Sequence, residues 1–170
     1  MAYITTRSGR DEVWLRSAGG DWERPVVTKS DFPDEKTDSL YNAVLSPDGN
    51  RLAYNLGQKI WVSPSSGGKP VQAIPSNPKY HENGLSWSRD SSTLYIASSI
   101  GAGRLDALDI STAKSRKIAD FGWDFIFGGY INCCLFGSLA PDGRSFVTTR
   151  YIATSDLWIL DGVPLPGRRK

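Results

Sequence analysis

The turn sequence Ser46-Pro47-Asp48-Gly49 sits between two apolar runs, and its return at two later places constrains the fold more than any other feature of the chain. Leu45 closes one apolar run and Leu52-Ala53-Tyr54 opens the next. Pro47 presets φ at about −65°, Asp48 can accept hydrogen bonds from local backbone N–H groups, and Gly49 tolerates positive φ. That combination predicts a hairpin. After Leu56-Gly57-Gln58, Ile60-Trp61-Val62 is a third β-prone run, and the small residues at 65–68 turn the chain toward a fourth at 71–74. Residues 40–74 therefore read as four short strands joined by tight turns, one antiparallel meander.

The turn returns as Ser88-Arg89-Asp90-Ser91 and as Ala140-Pro141-Asp142-Gly143, with its aspartates 42 and then 52 residues apart. A second marker keeps a matching spacing. Glu12-Val13-Trp14-Leu15, Lys59-Ile60-Trp61-Val62, Arg104-Leu105-Asp106-Ala107 and Asp156-Leu157-Trp158-Ile159 share the third-strand pattern. Two independent markers establish an internal repeat, which precedes every other inference about the fold. The first block lacks its opening strand: residues 2–5, 13–16 and 24–28 match the second, third and fourth strands of the unit. Residues 29–39 form a polar connector. The third block has strands at 84–87, 94–98, 105–109 and 116–119, with Ser91 in place of the turn glycine, so that its hairpin is either rearranged or strained. Residues 120–134 are the longest connector, and the last block has strands near 135–139, 146–149 and 157–160. Fourteen strands result. The second strands are apolar without clean alternation, as strands buried on both faces are. Repeated four-stranded meanders of about 40–45 residues are the sequence form of β-propeller blades. The expected class is all-β, a single propeller segment over 1–170 with blades near 1–28, 40–74, 83–119 and 135–161, the first and last incomplete, and a tail at 162–170.

These blocks resemble the TolB-like, WD40-like β-propeller repeats, in which a blade carries a Trp-Ser-Pro-Asp-Gly-like turn, an apolar second strand and an aromatic third strand ending near glycine. Residues 45–68, 85–109 and 139–161 match that pattern, and 3–20 match its later part. The resemblance implies a propeller, and such propellers usually have six to eight blades. It is permissive for function. Similar blades serve as protein-binding modules, as gates of prolyl oligopeptidase-type peptidases, and as C-terminal sensors of bacterial serine/threonine kinases or winged-helix regulators.

Composition narrows the partners. With 170 residues, 39% hydrophobic and 11% aromatic, the chain can build a core, and its formal net charge of +2 supplies no field for nucleic acid or an anionic membrane. Residues 1–7 lack the apolar core of a signal peptide, and no run approaches the roughly 18 apolar residues of a membrane helix. A complete chain would be cytoplasmic; a piece of an exported protein would be periplasmic.

No catalytic constellation emerges. His81 is the only histidine, it lies in a connector, and no G-x-S-x-G elbow accompanies it. Cys133 and Cys134 are adjacent and read as buried thiols rather than a redox or metal pair. Asp31, Asp34, Glu35 and Asp38 lack the alternation of a calcium loop and read as a solvated connector. Pro47, Asp48, Gly49, Asp90, Pro141, Asp142 and Gly143 are structural turn residues by their repetition. Trp14, Trp61 and Trp158 share one repeat position and are expected in packing between blades. No cofactor or metal is expected, and no enzymatic activity.

The expected role is a non-enzymatic protein-interaction or sensory module; the alternative is the propeller portion of a larger enzyme or regulator whose active domain lies elsewhere. Connectors after second and fourth strands emerge on one side of a propeller, so the variable segments at 7–11, 99–103, 123–130 and 150–151 gather there with Phe32, Tyr80 and His81. The aromatics Trp123, Phe125, Tyr130, Tyr80 and Tyr151, with His81, lie outside the repeat positions and form the candidate surface for a protein or peptide; the alternative is that residues 121–130 pack over the central channel or a neighbouring blade and that His81 caps a blade. Self-association through the two incomplete end blades is a further expectation.

Overall fold

The computed structural model describes residues 1–37, 39–74, 84–98, 103–122, 137–140 and 145–148. Four antiparallel sheets cover them. The first joins β1 (Ala2–Thr5), β2 (Glu12–Arg16) and β3 (Glu23–Val27); the second joins β4 (Leu40–Leu45), β5 (Arg51–Leu56), β6 (Lys59–Pro64) and β7 (Val71–Ile74). The third joins β8 (Gly84–Trp87), β9 (Thr93–Ser98), β10 (Gly103–Asp109) and β11 (Lys114–Gly122), and the fourth pairs β12 (Gly137–Leu139) with β13 (Phe146–Thr148). Strands follow one another in space as in sequence, and a 3-10 turn, Lys29–Asp31, is the helix among the described residues. Residues 157–160, with Trp158, lie outside the described residues.

The turns at 46–51 and 88–93 close in the same way. In the second sheet the Gly49 N–H donates to the Ser46 carbonyl at 2.9 Å, and the Ser46 N–H to the Arg51 carbonyl at 2.8 Å. Ser46 Oγ, buried, donates to Asp48 Oδ1 and accepts from the Arg51 N–H at 2.9 Å, while the Asn50 N–H donates to the same Asp48 oxygen at 3.0 Å. Ser88 and Asp90 repeat this set: Ser88 Oγ donates to Asp90 at 2.6 Å and accepts from the Thr93 N–H at 3.0 Å, and the Ser92 N–H donates to Asp90 at 3.1 Å. In the fourth sheet the Ala140 N–H donates to the Ser145 carbonyl at 2.7 Å.

Of the two readings for the third-block turn, strain is the one observed. Gly49 has φ 75° and Ser91 takes φ 61° in the same place. The serine has a compensating use, because its Oγ accepts from the Asp48 N–H at 3.1 Å and its carbonyl from Arg51 Nη1 at 3.2 Å, tying one sheet's turn to the next. Gly49→Ala should cost about 1 kcal/mol through backbone strain alone, since a Cβ there meets nothing within 4 Å. Ser91→Gly exchanges relief of strain for a lost acceptor and should fall within about 1 kcal/mol of the native chain. Ser91→Ala keeps the strain, loses the acceptor and should cost about 1–2 kcal/mol. Urea titrations of the three variants check that ranking.

The sheets stack face to face around two apolar layers. Val13, Leu15, Val26 and Val27 of the first sheet pack with Leu52, Tyr54 and Leu56 of the second. The opposite face of the second sheet gives Ala53, Ile60 and Ile74 to a layer completed by Leu85, Trp87, Leu94, Ile96 and Leu108 of the third. All of Leu52, Ala53, Tyr54, Asn55 and Leu56 are buried, which explains why β5 shows no alternation. Arg24 Nη2 crosses from the first sheet to the Ser65 carbonyl at 2.6 Å, and Trp87 Nε1 donates across the second interface to the Val44 carbonyl at 3.1 Å.

Two sequence expectations need correction here. β11 runs on through Phe121 and Gly122 instead of ending near Ala119, because irregularities at Gly103/Arg104 and Leu105/Asp106 let β10 begin at Gly103 and pair it with Gly122. Phe32, expected among the variable connector residues, is buried at 5% exposure, with its ring edge-on to Trp61 at 4.8 Å and to Tyr54 at 6.1 Å. An apolar side chain beside the end of a sheet layer gains more from closing that layer than from facing water.

Candidate functional site

The inner ends of the sheets determine where a partner can reach. β1, β4, β8 and β12 lie side by side as the innermost strands. β4 begins at the end from which the connectors after fourth strands emerge, and there Tyr41 is 44% exposed. Beside it Asn42 has φ 52°, and the pairing of β4 with β5 slips between Tyr41 and Val44, so Asn42 and Ala43 together face one residue of β5. This is a β-bulge, a device that bends a strand and re-aims its side chains. Neither Tyr41 nor Asn42 stands out in the sequence, since a bulge leaves no mark on an apolar run; the Tyr-Asn pair before Ala43-Val44-Leu45 is the one available hint. At the opposite end Trp22, in the β2–β3 turn, is 51% exposed and lies 6.0 Å from the Arg24 guanidinium.

Tyr80, His81, Trp123, Phe125, Tyr130 and Tyr151 fall outside the described residues, as do Pro141, Asp142, Gly143, Cys133 and Cys134. Pro47, Asp48, Gly49 and Asp90 occupy the tight turns described above, away from the connector end.

In the acidic connector Asp31 and Asp34 are exposed, as a solvated segment requires, and Asp38 lies outside the described residues; Glu35 is the departure, partly buried and paired. Asp31 Oδ2 accepts from the Thr28 N–H at 2.7 Å, Glu35 pairs with Lys59 of β6, and Lys29 Nζ donates to the Glu35 carbonyl at 2.7 Å. The Glu35–Lys59 pair fastens the connector to the second sheet, and Phe32 of the same connector is buried.

Trp14 and Trp61 share a repeat position but meet different neighbours. Trp61 packs against the first apolar layer. Trp14 lies on the outer face of the first sheet, where the Arg7 guanidinium stacks over it at 4.8 Å and its Nε1 donates to Glu12 at 2.8 Å. Glu23 binds Arg7 Nη1 at 2.6 Å and the Tyr3 hydroxyl at 2.9 Å, and a cleft of about 500 Å³ opens between Met1, Tyr3, Arg7, Arg16 and Glu23. Partial desolvation, then Glu23, raises the Tyr3 pKa, and Glu23 raises that of Arg7. Bonds from Arg7 and Tyr3 lower that of Glu23. Each group is thereby held in its ordinary charge state at neutral pH, an arrangement for hydrogen bonding and stacking rather than proton transfer.

The turn carboxylates carry a pH signature. Asp109 Oδ1 accepts from the Ser111 and Thr112 hydroxyls and N–H groups, which lowers its pKa to about 2, and hydroxyl bonds from Ser46 and Ser88 lower Asp48 and Asp90. A depressed folded value means that the stabilisation is complete above the unfolded value of about 4 and is lost as pH falls to about 2. Melting temperature should fall across that window, and the gap between the native chain and Asp109→Asn should close there. A gap unchanged from pH 6 to pH 2 would contradict the assignment.

Among solved structures the chain is similar to TolB from Acinetobacter baumannii, at 16% identity and a TM-score of 0.55 over 69% of this chain and 30% of that one. It is also similar to putative TolB from Agrobacterium tumefaciens, at 18% identity and a TM-score of 0.50 over 65% and 39%. No family model and no curated protein matches. The likeness is one of fold: the stacked sheets are a TolB-like β-propeller segment, spanning less than two-fifths of either matched chain.

Proposed function

We propose that the chain is a non-enzymatic propeller module that takes a protein or peptide on the connector end of its inner strands. The observation that carries this reading is Tyr41, a large aromatic left 44% exposed beside the Asn42 bulge at that end. Aromatic side chains of this kind often dominate an interface's energy. Trp123, Phe125, Tyr130, Tyr80, His81 and Tyr151, on connectors that emerge on the same side of a propeller, complete the proposed surface. Displayed peptides selected against the native chain test it. Tyr41→Ala should weaken a selected peptide about tenfold or more, while Trp22→Ala on the opposite end should leave its affinity within about twofold. Loss in Trp22→Ala with retention in Tyr41→Ala would refute the placement.

A further inference from the structure

Asp11 closes the connector between β1 and β2, and its carboxylate crosses to the second sheet, where Oδ2 accepts from the Leu40 N–H at 3.0 Å. The connector is itself held in shape, since the Gly9 N–H donates to the Thr6 carbonyl at 2.8 Å and β2 begins at Glu12. Leu40 is fixed from its own sheet as well. The Gly57 N–H donates to the Ser39 carbonyl at 3.0 Å, so Ser39 and Gly57 extend the register that pairs Leu40 with Leu56 and Tyr41 with Asn55. Antiparallel pairing alternates, and the position after a bonded one turns its backbone groups outward, so the Leu40 N–H points away from β5. Leu40 is buried, and a buried donor in that position needs an acceptor from outside its sheet. Asp11 supplies it.

What the bond holds is the start of the bulge. Across the same span the third sheet runs in unbroken register, with Gly84, Leu85, Ser86 and Trp87 facing Ala97, Ile96, Tyr95 and Leu94. β4 instead sets residues 41–45 against residues 52–55, one residue more than its partner, with Asn42 at φ 52°. A strand with one residue too many can return to even register by letting its first residues slide, and a slide of one position turns each side chain to the other face of the sheet. Leu40, tied to Asp11 on one side and through Ser39 to Gly57 on the other, does not slide. We infer that Asp11 is a positioning residue for the connector-end surface: its bond to Leu40 fixes the frame of the Asn42 bulge and so the direction in which Tyr41 meets a peptide. The inference rests on the connector-end reading of Tyr41. It makes that surface the joint product of two sheets, the second carrying the aromatic and the first setting its aim.

The probe is a displayed peptide selected on the native chain, its affinity measured for Asp11→Ala, Asp11→Asn, Tyr41→Ala and the double variant Asp11→Ala with Tyr41→Ala, while amide exchange is followed at Leu40. Asp11→Ala should weaken the peptide about fivefold and speed exchange of the Leu40 amide about tenfold or more. Asp11→Asn keeps a side-chain carbonyl as acceptor and should bring both back to within about twofold of the native chain. In the Tyr41→Ala background, loss of the Asp11 carboxylate should change affinity by less than about twofold, because the group it aims is gone. Equal losses in both backgrounds would overturn the inference by showing that Asp11 touches the peptide itself. Faster Leu40 exchange with unchanged peptide affinity would contradict it as well, since the bond would then hold the strand without aiming Tyr41. In both of those results Tyr41→Ala still weakens the peptide, and the connector-end reading stands. A peptide indifferent to Tyr41→Ala refutes that reading and the role of Asp11 together.

Discussion

Phe32→Ala should lower the unfolding free energy by about 3–5 kcal/mol, the range for removing a buried aromatic ring from a packed layer. Its ring closes the connector end of the first apolar layer, edge-on to both Trp61 and Tyr54, and the truncation would leave those two rings facing a void. Tyr41→Ala, at an exposed aromatic, should change stability by no more than about 0.5 kcal/mol. A urea titration of both variants separates the roles of two aromatics that look alike in sequence. Equal, small losses would mean that the connector does not pack as described.

Asp106→Ala is expected to cost about 3 kcal/mol. Asp106 is 0% exposed, and the Arg104 guanidinium grips it through Nε at 2.7 Å and 3.0 Å and Nη2 at 2.7 Å. Removing one partner of a buried pair typically costs about 3–5 kcal/mol; the low end applies because Arg104 is 39% exposed, so water can resolvate it. The variant Arg104→Met with Asp106→Leu removes both charges and should be less destabilised than Asp106→Ala alone. A double variant as unstable as the sum of its two single changes would show that the charges are not coupled.

Asp106 also shows why the repeat could be read while its exceptions could not. The residue stands at the position of Trp61, and Arg104 at that of Lys59. The sequence alignment reveals the substitution but not its consequence, because burial of a carboxylate depends on which arginine lies within reach. The strands themselves are legible for a local reason: the serine and aspartate of the turns at 46–51 and 88–93 make their bonds within five residues of one another. The burial of Phe32 is not legible in the sequence, because its packing depends on partners more than twenty residues away and no period marks a connector residue as apolar core. The extension of β11 through Gly122 rests on irregular pairing, which composition does not encode. Nothing in the sequence marks Tyr41 for the same reason, its exposure lying next to the slip between β4 and β5. The six aromatic and histidine connector residues are proposed contacts and lie outside the described residues.

The central claim is that successive sheets stack face to face in the order of the sequence, and the Trp87 indole reports it most directly. Its Nε1–H crosses the second interface to the Val44 carbonyl, 43 residues earlier, at 3.1 Å. In an NMR spectrum of the uniformly ¹⁵N-labelled chain, that indole proton should exchange slowly with water and show cross-relaxation to the Val44 and Ala53 side chains. A fast-exchanging indole with no contact to either residue, in a chain whose hairpins β4–β5 and β8–β9 are nonetheless formed, would contradict the stacked arrangement.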